Sequence, residues 1–157
     1  MTEFGAPHWT TYDVSGATLA DVAAVLTQRD EAGETTWNPT HTMSWDDSGN
    51  VTDVTVHCGF DVQMPNWVEY SQASADAQTE WDRWYGALEE HEQGHLTIAE
   101  GVFTDLESQM VGKSQADAEA AFQAAVTKAQ TDSDAYDTGN GHGTTASNST
   151  VMDTNIP

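Results

Sequence analysis

Apolar side chains recur at spacings of three and four through the middle of the chain, at positions 81, 84, 88, 98, 102 and 106, with His91 and His95 in phase between them. The stripe carries Trp81, Trp84, Leu88, Ile98, Val102 and Leu106, with Tyr85 beside it. A period near 3.6 belongs to an amphipathic helix with one face turned inward. Asp82, Glu89, Glu90, Gln93 and Glu100 fall elsewhere on the wheel, where solvent is expected. The pattern predicts a helix from about Ser74 to about Met110 that contains Gly86, Gly94 and Gly101. Each glycine costs a helix about 1 kcal/mol relative to alanine. Gly94, beside the histidines, therefore calls for a packing reason: close approach by another backbone or by a substrate, or else tight packing of helix on sheet.

Elsewhere the period shortens to two. Val51, Val54, Val56, Cys58, Phe60 and Val62 outline a strand, and Thr40 to Trp45 a shorter one. Asp46-Asp47-Ser48-Gly49-Asn50 has the composition of a turn between them. This predicts an antiparallel hairpin whose long second strand stops at Met64-Pro65-Asn66-Trp67. Residues 9–14 read as a further strand. Thr18 with Asp21 suggests a capping box for a helix to about Arg29, followed by a polar loop from Asp30 to Glu34. Ser114 with Asp117 caps a third helix bearing Ala118, Ala121, Phe122, Ala125, Val126 and Ala129, which should pack on the central one. From Asp132 the composition turns to Asp, Ser, Thr, Asn and Gly, and 144–157 reads as a flexible tail. The expectation is one α+β domain over 1–143. In it, a small antiparallel β-sheet packs against the long helix, with two further helices.

Charge narrows the partners. There are 26 acidic residues against 4 basic ones, a net charge of −22. Such a surface repels nucleic acid and anionic membranes, and both are excluded as partners. A carboxylate coat keeps a protein dispersed in strong salt, which suggests a saline or otherwise harsh extracellular setting. Attraction of cationic substrates or divalent ions is the weaker alternative, because the acids are spread over the whole chain. No apolar run of about 18 residues would span a membrane. Residues 1–30 show no basic segment followed by an apolar one, as expected of a secreted protein without its leader. The lone Cys58 cannot form an intramolecular disulfide and reads as a buried strand residue. A monomer is expected.

The candidate chemistry lies at His91-Glu92-Gln93-Gly94-His95. Residues four apart on a helix share a face, so the two imidazoles can converge on one Zn2+ ion. Glu92 projects beside them, in place to serve as general base toward a water that the metal activates. The bland reading is a pair of hydrogen-bonded core histidines. Three protein ligands and one open position characterise a catalytic zinc. Glu100 lies about 140° around the helix from His95 and Asp105 about 15 Å along it, so neither fits. The segment Tyr136 to Gly143 remains. Its His142 lies between two glycines that permit tight turns, although local composition alone favours a histidine in a disordered tail. His8, His41 and His57 lie in or beside the strands and read as bystanders.

Four features, in order, resemble a family of small secreted bacterial proteins, catalogued as a domain of unknown function and described as Zn-dependent proteases. They are Tyr12-Asp13-Val14-Ser15-Gly16, Pro65-Asn66-Trp67, Trp81 to Leu88 leading into the two histidines, and Tyr136-Asp137 followed by His142-Gly143. The resemblance implies a zincin-like metallopeptidase acting on a peptide or protein, with His91, His95 and His142 as zinc ligands and Glu92 as catalytic base. Under it, Tyr136 would stabilise the oxyanion, or Asp137 would orient a ligand histidine. The alternative is a zinc-binding structural or interaction module without hydrolytic activity. A metal-independent protein whose histidines belong to the core is a further rival.

Overall fold

The computed structural model describes residues 1–145 and 149–156. Among these residues, four strands, β1 (Thr2–Phe4), β2 (His8–Val14), β3 (Glu34–Trp45) and β4 (Val51–Trp67), accompany four α-helices and a short 3-10 turn at Tyr70–Gln72. The α-helices are α1 (Leu19–Leu26), α2 (Ala75–Phe103), a one-turn α3 (Leu106–Met110) and α4 (Gln115–Asn140). This is an α+β arrangement, and β4 is the strand with which the other three pair.

The sheet is mostly parallel, which corrects the expected antiparallel sheet. β1 pairs parallel with β4 from Thr2↔Val56 to Phe4↔Cys58, and β2 pairs parallel from His8↔Asp61 to Val14↔Trp67. The hairpin pattern revealed only the β3–β4 neighbours. Their connection is too short for a parallel crossover, and Asp46 closes it by accepting from the backbone N–H of Ser48 and Asn50, both at 2.9 Å. The parallel partners come from the distant N-terminus, which no local pattern announces. β4 also does not stop at Met64. It continues through Pro65, opposite Tyr12, to Trp67.

The internal contacts gather into two compact units, and α2, α4 and β4 each contribute to both. One unit comprises Met1–Pro7, Thr36–Phe60 and His95–Ala135. Its core takes Val54, Val56, Cys58 and Phe60 from one face of β4, with Leu96, Phe103, Leu106, Met110 and Phe122 from the helices. The other comprises His8–Thr35, Asp61–Gly94 and Tyr136–Pro157. Here Val62, Met64 and Trp67 of β4 are buried, as are Val14, Leu19 and Val22 and the α2 side chains Trp81, Trp84 and Leu88. Trp67, Trp81 and Trp84 form an aromatic run with ring centroids 5.5 and 4.9 Å apart. The Trp67 indole donates to the Gly16 carbonyl at 2.7 Å, so this ring is buried with its polar atom satisfied.

Both expected caps are present. Thr18 and Asp21 form a reciprocal capping box at α1, and Ser114 accepts from Asp117 N–H at the start of α4. Two boundaries differ from expectation. α2 ends at Phe103 rather than near Met110, and after Thr104 and Asp105 the chain resumes as α3. α4 runs on to Asn140, through the segment whose composition suggested coil. Side-chain links one turn apart support it there: Lys128 to Asp132 at 2.6 Å, Gln130 to Asp134 at 2.7 Å and Thr131 to the Thr127 carbonyl at 2.9 Å.

Of the stretch expected to be a flexible tail, 146–148 and 157 lie outside the described residues. Residues 149–153 meet α2. Arg83 donates to the carbonyls of Ser149 and Val151, Trp84 donates to that of Thr150, and the Glu80 carboxylate accepts from Asp153 N–H. No described helix is long and apolar enough to cross a membrane.

Candidate metal centre

His91 and His95 sit one turn apart on α2, and both are buried, as is Glu92, which is 2% exposed. The long apolar stripe explains their placement: the same face that buries Trp84 and Leu88 carries the histidines inward. Asp137 reaches them from α4. One donor atom from each of His91, His95 and Asp137 lies within 4.8 Å of the others. His91 Nε2 stands 3.1 Å from Asp137 Oδ1. Donors on a tetrahedral zinc at about 2.0–2.1 Å are themselves roughly 3.3 Å apart, so this spacing suits a shared ion. Two imidazoles and a carboxylate also match the donor types that zinc takes.

Neighbours hold these side chains in place. Ser133 Oγ is 2.6 Å from His95 Nδ1, which directs Nε2 of that ring toward any shared ion. Tyr136 stacks on His91 with centroids 5.1 Å apart and planes 16° from parallel. The tyrosine lies against Gly94, where an added methyl would come within 2.6 Å of Tyr136 Cζ. The expected reason for a glycine beside the histidines is thus an aromatic side chain rather than a backbone or a substrate. Gly33 plays the same part for Glu92, since a methyl there would stand 2.9 Å from the Glu92 carboxyl carbon. Thr35 donates to Glu92 Oε2 at 2.7 Å. Burial pushes the Glu92 pKa up to about 7, against the Thr35 hydrogen bond that lowers it, while Glu31, Asp137 and Glu34 raise it further. Burial also raises the Tyr136 hydroxyl, assisted by Asp137.

The residues expected from the sequence are distributed as follows. His91, Glu92 and His95 come together, with Tyr136 and Asp137 beside them. His142 lies further out, 63% exposed. Its Nδ1 is 3.8 Å from Asp137 Oδ1 and 3.8 Å from Glu31 Oε1, and these three residues form a second grouping that shares Asp137. The carboxylate that joins the two histidines is therefore Asp137. The glycines around His142 do provide a tight turn: Gly141, His142 and Gly143 all have positive φ, at 58°, 53° and 80°. For a histidine that conformation costs roughly 1 kcal/mol or more. His8, His41 and His57 pair with Asp61, Glu119 and Glu3 and take no part.

Sequence reasoning missed Gly33, Thr35, Ser133 and Glu31. Ser133 and Asp137 were legible in principle: they continue by fours the stripe of Ala129, provided α4 is taken past Asp132. Gly33 and Thr35 approach Glu92 across some 57 residues of sequence, and nothing local marks them.

No curated protein and no solved structure matches the chain. A family model described as a bacterial protein of unknown function (DUF922) matches residues 9–143, and the chain belongs to that family.

Proposed function

We propose that this protein is a zinc-dependent peptidase acting outside the cell. The observation that carries the reading is the convergence of His91, His95 and Asp137 donor atoms within 4.8 Å, with the buried Glu92 carboxylate next to His91. His91, His95 and Asp137 would hold the ion, with His142 beyond Asp137. A zinc ion there supplies Lewis acidity toward a peptide carbonyl. Glu92 takes the proton of the attacking water and passes it to the leaving amine. Thr35 aims the Glu92 carboxylate through its 2.7 Å hydrogen bond, and Gly33 leaves room for it. Ser133 fixes the His95 ring, and Tyr136 fixes the plane of His91 while its hydroxyl remains the candidate donor to the oxyanion. The acid-rich surface supports the extracytoplasmic setting.

The test is cleavage of a broad peptide library by zinc-loaded protein, with chelated protein and Glu92→Gln alongside. The expected result is cleavage by the loaded wild type, none after chelation, and a loss of roughly 100-fold to 10,000-fold in Glu92→Gln with zinc content unchanged. Undiminished turnover in Glu92→Gln removes that residue from the chemistry. A protein that binds zinc and cleaves nothing is instead a structural or interaction module.

A further inference from the structure

We propose that the cavity beside His91 and Glu92 is a subsite for one long basic side chain, lysine or arginine, of a peptide substrate. This rests on the peptidase reading and names the substrate class of the same site.

The cavity holds about 280 Å3 and belongs wholly to the unit that carries Glu92. That is below the usual size of a small-molecule site and suits a single side chain. Trp84 and Leu88, each 4% exposed, give it an apolar wall. His91 and Glu92 stand on its lining, so a residue held there places its peptide bond near the candidate base. Asp30 and Glu31 also stand on the lining, as does His142. Apolar wall and acidic rim together match a side chain with a methylene stem and a cationic head. A purely aliphatic side chain would cover the two carboxylates without a partner, and an acidic one would meet like charge.

The basic residues of the same unit are occupied elsewhere. The Arg29 guanidinium lies over the Tyr12 ring, 3.8 Å from its centroid, and donates to Gln63 Oε1 at 3.0 Å. Arg83 is bound to Glu80 and to the carbonyls of Ser149 and Val151. His142 Nδ1 lies 3.8 Å from Glu31 Oε1. Burial raises the Glu31 pKa, and Asp137, Glu34 and Asp30 raise it further against the opposing effect of His142. The acids of this chain are spread widely, but here they border an apolar cavity at the candidate centre. That local placement gives a cationic substrate a reason that overall charge does not.

Two measurements test it. In the first, zinc-loaded protein cleaves peptides varied at one position flanking the scissile bond among lysine, arginine, norleucine and glutamate. Lysine and arginine are expected to exceed norleucine in kcat/KM by about tenfold or more, with glutamate lowest. In the Asp30→Asn, Glu31→Gln double variant the lysine-to-norleucine ratio should collapse toward unity. In the second, Glu92→Gln protein is titrated with N-acetyl-lysinamide and N-acetyl-norleucinamide, followed by the indole NMR signal of Trp84. Saturable binding of the lysine probe, weakened by the double substitution, supports the subsite even if no peptide is cleaved, and then only the hydrolytic reading fails. Cleavage that ignores the flanking side chain overturns the subsite and leaves hydrolysis standing. Equal binding of the two probes also overturns it.

Discussion

Among the described residues, His8, His41, His57 and His91 each stand about 3 Å from a carboxylate, and of those four pairs the last belongs to the candidate centre. His8–Asp61 and His57–Glu3 lie on the sheet, at 3.0 and 2.9 Å, with the histidine side chains 72% and 50% exposed. His41–Glu119 is at 3.1 Å, with the imidazole tilted on Phe122 and the glutamate half exposed. His91–Asp137, also at 3.1 Å, is 7% and 15% exposed. Pair distance therefore discriminates nothing. What separates the α2 pair is burial, a second imidazole within ligand reach, and a second carboxylate, Glu92, pressed against Gly33. Water screens the sheet pairs, and each is worth little. The α2 group concentrates polar atoms where solvation is poor, an arrangement that a cation would stabilise.

The comparison breaks most sharply on metal content. His91→Ala or His95→Ala should lower zinc affinity by more than about 100-fold, since losing a ligand costs more than losing its support, whereas His8→Ala and His57→Ala should retain full zinc content by elemental analysis. Equal loss in all four would erase the distinction drawn above. Asp137→Asn comes next, with zinc affinity reduced by about 10- to 100-fold. If competition with a chromogenic chelator shows no change for Asp137→Asn and a large one for His142→Ala, the third ligand is His142. The glycines of α2 sharpen the contrast on the stability axis. Gly94→Ala should destabilise by about 1–3 kcal/mol in urea unfolding, because Tyr136 occupies the space of the new methyl. Gly101→Ala, with nothing within 4 Å, should stabilise by about 0.5–1 kcal/mol.

The sequence made α2 legible because its signal is local. Trp81, Trp84, Leu88, His91 and His95 at helical spacing mark both the element and its inward face, whereas past His95 the buried positions are Leu96, Ala99 and Phe103 rather than the expected Ile98 and Val102. Both capping boxes were readable for the same reason. What was not readable depends on distant partners. The parallel ladder joins Thr2 to Val56 and His8 to Asp61, and strand composition carries no trace of which neighbour lies alongside. α4 past Asp132 is built from residues that favour turns when alone. It stays helical through links such as Lys128–Asp132 and by burying Ser133 beside His95. The resemblance pointed to His142 as third ligand and to Asp137 as the residue orienting a histidine; the helical run to Asn140 is what brings Asp137 within reach of both His91 and His95.

Gly94 has a consequence for finding relatives. The two middle positions of an H-E-x-x-H pattern are ordinarily treated as wildcards. Here the second is dictated by an aromatic ring lying on it from another helix, so the signature to search for is H-E-x-G-H coupled to a downstream Tyr-Asp. A relative that carries a bulkier residue at that position should also have replaced the tyrosine by something smaller.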